Sequence, residues 1–181
     1  MNLQKMFEMQ KVLDDRIIKE KGLEGKDLLP NLILALQVEL AECANEWRGF
    51  KHWSNDREPR TKHPLETSPN GAFRKGGNPL LEEYVDCLHF LLSIGNKIGV
   101  KEVVPFKLIS LTNDITGHFN SIFKLIGQWE IVFLYLDQNP YHIVVREFMN
   151  LGEKFGFTPD QIEAAYMDKN AVNHQRQQEG Y

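Results

Sequence analysis

Residues 38–54 read VELAECANEWRGFKHWS and residues 80–93 read LLEEYVDCLHFLLS, and these two stretches decide the fold. Leading into and through the first, Leu36, Leu40, Cys43 and Ala44 recur at three- and four-residue steps, the period of a helix rather than a strand. The second is richer still in Leu, Val and Phe, which predicts a helix buried on most sides. Into these apolar frames are set Glu39 and Glu42, and Glu83 and Asp86, each pair three residues apart. At 3.6 residues per turn such a pair leaves one helix face. Burying four carboxylates is costly unless something cationic compensates. Oxygen-only donors select hard divalent ions, Mg²⁺ above all where phosphates are also bound. The plainer alternative is that the carboxylates are solvated groups on two amphipathic helices.

Working outward, Leu3, Met6, Met9, Leu13 and Ile17 mark one face of a helix over 2–21. The second helix spans about Leu29–Trp47, with Pro30 in its first turn, where a missing N–H costs least. The third runs from Pro79 to about Lys97. Between them, 54–79 holds Pro59, Pro64, Pro69, Gly71, Gly76 and Gly77 and reads as a long polar loop inserted in the bundle. Further helices are expected over roughly 106–126, 128–137, 140–155 and 159–169, with Thr158 a natural N-cap. Residues 131–136 would also suit a strand, but no partner strands are evident. The expected architecture is an all-α bundle forming one domain over 1–181.

Bulk properties narrow the class. Net charge is −4, so the chain does not read as a nucleic-acid coat. Cys43 and Cys87 have no CxxC spacing and sit in apolar segments, which fits a reducing cytoplasm better than a disulfide scaffold or a zinc cage. The start, MNLQKMFEMQ, lacks the continuous apolar core of a signal peptide, and no apolar run reaches membrane-spanning length.

The ExxE and ExxD helices resemble the metal-binding helices of the dimeric dUTPases, within the all-α NTP pyrophosphatase superfamily that includes MazG. Glu39, Glu42, Glu83 and Asp86 match that pattern residue by residue. The terminal run YMDKNAVNHQRQQEGY, residues 166–181, is similar to a dUTPase motif of the form KNxxNxxRQxxGY, which MazG-like proteins lack. Lys169, Asn173 and Arg176 fall on one helix face and suit a polyphosphate, Arg with its planar fork.

The resemblance implies magnesium-dependent hydrolysis of dUTP, and of dUDP, with attack at the β-phosphorus releasing dUMP and pyrophosphate from dUTP. It implies two or more Mg²⁺ ions on the four carboxylates, with Glu42 taking the proton of the attacking water. Asp86 would also accept from the sugar 3′-OH. Lys51, Lys169, Asn173, Arg176 and Tyr181 would meet the phosphates, and Gln10, Asp14, Trp53, Phe90 and Asn170 the nucleoside. Phe90 suits a core position equally, and His89 reads as a hydrogen-bonded core histidine rather than a base. A homodimer follows from the resemblance and from the apolar surface on the second and third helices. The spacing from Glu42 to Glu83 is longer than in compact members, and the extra length is the 54–79 insertion. Its Arg74-Lys75-Gly76-Gly77 stretch could close over phosphates or be a plain loop. Similar phage enzymes carry variable insertions here, some of which bind a repressor protein. Two other readings remain open: a MazG-like pyrophosphatase for dCTP or modified nucleotides, and a non-enzymatic regulator that binds a repressor.

Overall fold

The computed structural model describes residues 1–68, 71–74, 76–100, 112, 114–128 and 140–180, with the side chains of 65, 67, 68, 71–74 and 140 excepted. Six helices are described: α1 (Leu3–Glu20), α2 (Leu29–Trp47), α3 (Pro79–Lys97), α4 (Ile115–Gly127), α5 (Pro140–Lys154) and α6 (Pro159–Gln178). The fold is all-α, as the periodicity predicts. The termini are set by local chemistry. Asn2, Asn78, Asp114 and Thr158 each cap the next helix by accepting a main-chain N–H, and Thr158 with Gln161 forms a capping box. Helix α2 has Pro30 in its first turn and no side-chain cap, and it ends at Arg48 in the left-handed region at φ 65°.

Helix α3 is the axis of the bundle. It packs against α1, α2, α5 and α6, and only Lys97 of its residues is exposed. Its tyrosine neighbours close the packing polar end first. Tyr141 on α5 donates its hydroxyl to Leu91 O at 3.0 Å, and Tyr84 on α3 donates to Phe148 O at 3.2 Å while stacking on the Phe148 ring. Gly95 is needed where α1 and α5 converge: a Cβ there would stand 2.5 Å from the Tyr141 hydroxyl and 2.6 Å from Phe7. One core of apolar side chains runs through all six helices.

Three expectations change. The 54–79 segment is not wholly loop, because Leu65–Ser68 and Gly71–Arg74 pair as an antiparallel hairpin, here β1 and β2. The last helix does not stop at 169 but continues to Gln178. The helix expected from 106 is described only from Ile115, after the Asp114 cap. Residues 101–111, 113 and 129–139, with the helix expected over 128–137, lie outside the described residues, as do Lys75 and Tyr181. The apolar surface of α3 is covered within the chain, whereas α2 leaves Leu34 62% and Val38 48% exposed. Among the described residues no helix is long and apolar enough to cross a membrane.

Candidate active site

Helices α1, α3 and α6, which pack on one another, and α2, which packs on α3, line a cleft of about 530 Å³. Each helix contributes a stripe at helical spacing: Gln10, Asp14 and Ile17 from α1; Asp86, Phe90, Ser93 and Lys97 from α3; Lys169, Asn173 and Arg176 from α6. Glu39 and Leu32 come from α2. One end of the cleft is therefore apolar and the other charged.

At the charged end, carboxylate oxygens of Glu39, Glu83 and Asp86 lie within 4.8 Å of one another. All three are half-buried. Burial is the main reason that Glu39 and Glu83 are each pushed up to about 7, and the charges of their carboxylate neighbours add to it. Burial also raises Asp86, against the pull of Lys169, whose Nζ stands 2.5 Å from Asp86 Oδ2. That ammonium shows a cation is accepted at the cluster. Like charges held at this spacing in a half-dry place fit a divalent ion with oxygen ligands, and nothing in the donor set would suit a soft metal. Glu42 is exposed and outside the closely spaced trio, although its charge reaches Glu39 and Glu83.

Behind the apolar end lies a hydrogen-bond network centred on Gln10, only 3% exposed. Its Nε2 donates to Asp14 Oδ1 at 2.9 Å and to Ser93 Oγ at 3.0 Å. Its Oε1 accepts from His89 Nδ1 at 2.6 Å and from the Tyr166 hydroxyl at 3.1 Å. Ser93 completes the ring by donating to Asp14 Oδ1 at 2.9 Å. The single Tyr166 O–H is shared with Met6 O at 3.0 Å, so Gln10 uses both N–H groups and one lone pair fully inside the protein and the other in part. The Gln10 side chain, expected at a base edge, holds its neighbours in this structure while lining the cleft. His89 is a neutral core histidine stacked on Tyr166, its pKa pushed down to about 3 by burial and by the charge of Lys169. Asp14 is pushed up to about 6, again by burial, although Gln10 and Ser93 pull the other way.

The remaining expected residues are placed as follows. Phe90, Asn173 and Arg176 line the cleft. Asn170 is buried behind it, 4% exposed. Lys51 and Trp53 do not reach it: Lys51 stands over the Phe50 ring, and Trp53, 68% exposed, meets the edges of Phe50 and His52. Two residues escaped sequence reasoning, Ser93 and Asn96. The signal for Ser93 was present, a hydroxyl seven residues after Asp86 within an apolar run. Asn96 donates to Phe7 O at 3.1 Å and clamps α1 to α3.

Helices frame the cleft, and its oxygen donors faced by Lys169 and Arg176 suit a phosphorylated substrate; fold and site define an all-α nucleotide hydrolase. A family model described as dUTPase matches residues 2–67 and 71–181. The chain belongs to this dUTPase family, the all-α one its helices resemble, and it is an enzyme, a dUTP diphosphatase. No curated protein matches it.

Proposed function

We propose that the chain hydrolyses dUTP to dUMP and pyrophosphate with magnesium, and dUDP to dUMP and phosphate, as a homodimer. The observation that carries this reading is the carboxylate trio of Glu39, Glu83 and Asp86 at the charged end of an apolar-walled cleft. Two or more Mg²⁺ ions held by the trio and Glu42 would neutralise the polyphosphate and acidify water beside it. The chain's own residues do the rest. Leu32, Ile17 and Phe90 shelter the nucleoside, and Asp14 and Ser93, positioned by Gln10, face it. Asp86 accepts from the sugar 3′-OH. Glu42, exposed beside the trio, takes the proton as water adds to the β-phosphorus; the bridge to the α-phosphorus then breaks, its oxygen leaving on dUMP. Lys169 and Arg176 offset the charge that develops, an effect that grows as water is excluded. Asn173 meets the phosphates between them. Lys51 and Trp53 sit on the exposed turn after α2, where a second copy could receive them.

The test is release of pyrophosphate or phosphate with magnesium across dUTP, dUDP, dTTP and dCTP, for wild type, Glu83→Gln and Arg176→Ala. Expected are turnover of the two deoxyuridine nucleotides alone and at least a hundredfold loss of kcat in Glu83→Gln, the scale of a lost electrostatic group at a reacting centre. Preference for dCTP would sink the base assignment, and an active Glu83→Gln would sink the metal site.

A further inference from the structure

A second cleft of about 510 Å³ opens on the other side of Glu83, where the inserted segment leaves α2 and rejoins α3. Glu83 lines this cleft, while its trio partners Glu39 and Asp86 line the first. The two spaces are thus neighbours across one carboxylate. Their characters differ. The first has the aliphatic and aromatic wall a nucleoside needs. The second is charged, carrying Arg60, Lys62 and His63 from the insertion opposite Glu46, Glu82 and Glu83.

The basic residues are held in place. Arg60 N donates to Glu46 O at 2.9 Å and Leu80 N donates to Arg60 O at 3.1 Å, which staples the insertion to both helices by main chain. Arg60 Nη1 pairs with Glu46 at 2.9 Å and His63 Nε2 with Glu82 at 2.9 Å. These contacts offset Glu46 and fix the Arg60 fork, which has four further N–H donors. Lys62 is exposed, and no ion pair to it is found among the described residues.

We propose that this second cleft is the subsite for the terminal phosphates of dUTP and for the departing pyrophosphate, with Arg60 and Lys62 as its anion-binding groups. The inference rests on the reading above, in which the reacting phosphorus sits at the trio. With the nucleoside in the first cleft, the chain of phosphates passes Glu83 and its far end enters the second. Guanidinium and ammonium groups are suited to a phosphate there, the guanidinium with two parallel bonds. The insertion then supplies substrate contacts that the four carboxylate positions alone do not provide. It also favours the triphosphate, because dUDP would leave the outer part of the cleft unfilled.

Calorimetric titration of the full chain with inorganic pyrophosphate plus magnesium, and separately with dUMP, tests the proposal in wild type, Lys62→Ala and the Arg60→Ala/Lys62→Ala double variant. The stapling bonds are main-chain, so they survive both substitutions. Expected is pyrophosphate binding weakened several-fold in Lys62→Ala and at least tenfold in the double variant, with dUMP binding within twofold of wild type. Unchanged pyrophosphate binding, or parallel loss of dUMP, overturns the subsite. A wild type that turns over dUTP yet binds no pyrophosphate overturns the inference alone. A folded wild type with no dUTP turnover overturns the reading beneath it.

Discussion

Gln10 is the residue on which the apolar end of the cleft depends, because four partners on three helices close on one amide. Replacing it with Ala leaves His89 Nδ1 without its acceptor and Ser93 without its donor in a nearly dry place, while the Tyr166 hydroxyl falls back on Met6 O. Gln10→Ala should therefore cost about 3 kcal/mol in denaturant unfolding, the scale of a broken buried network plus a cavity. A loss below about 1 kcal/mol would mean water replaces the amide freely. Asp14 makes a second statement at this scale. Its folded pKa of about 6 lies above the usual 3.8, so the folded state holds its proton more tightly than the unfolded one. The sign follows: the contribution is complete below about pH 4 and is lost as pH rises through about 6. The ceiling on that loss is about 3 kcal/mol, set by the gap between the folded and unfolded proton affinities. Asp14→Asn should remove the slope, leaving the variant progressively more stable than wild type between pH 4 and 7. Parallel curves for the two proteins would refute the assignment.

At the scale of elements, what could be read from the sequence was what periodicity encodes. Helices α1, α2 and α3 stand within a residue or two of their expected bounds, since apolar steps of three and four register directly as buried faces. The end of α6 was missed because NAVNHQRQQ has almost no apolar period; its helix is held by Asn170, Asn173 and Lys169 turned inward, not by a greasy stripe. The hairpin was missed although Asn70-Gly71 between LETS and AFR is a two-strand signal, because prolines on both sides favour loop. Spacing reveals which side chains share a face, but not which faces meet. That is why spacing pairs Glu39 with Glu42 and Glu83 with Asp86, whereas the closer grouping of Glu39, Glu83 and Asp86, the partners of Gln10 and the absence of Trp53 from the cleft lining required the fold. Helix α2 supplies this scale's prediction. Leu34 and Val38, four apart, form an exposed apolar face on the helix that also carries Glu39. If a second copy covers them, Leu34→Glu with Val38→Glu should convert a dimer to a monomer in sedimentation while leaving the helical circular dichroism intact. Unaltered sedimentation of a dimer would place the interface elsewhere.

For the whole molecule, the carboxylate trio sets function against stability. Glu39 and Glu83 at about 7 are raised above their ordinary 4.5, so in metal-free protein their contribution is complete below about pH 4.5 and is lost as pH rises through about 7. Melting in chelator should accordingly fall between pH 5 and 8. Magnesium binds the ionised form, and its effect must have the opposite slope, largest where the carboxylates are charged and vanishing where protons occupy them. An ion present at a hundred times its dissociation constant stabilises by about 2.7 kcal/mol. For a chain of this length that is a rise of roughly 5–10 °C in Tm. The expected result is a gap between the magnesium and chelator curves that opens from near zero at pH 5 to that size at pH 8. Glu83→Gln should flatten the chelator curve and shrink the gap, because it removes one of the mutually repelling charges and one ligand together. A gap independent of pH would mean that magnesium binds away from the trio, and a chelator curve that rises with pH would mean that Lys169 alone already neutralises it.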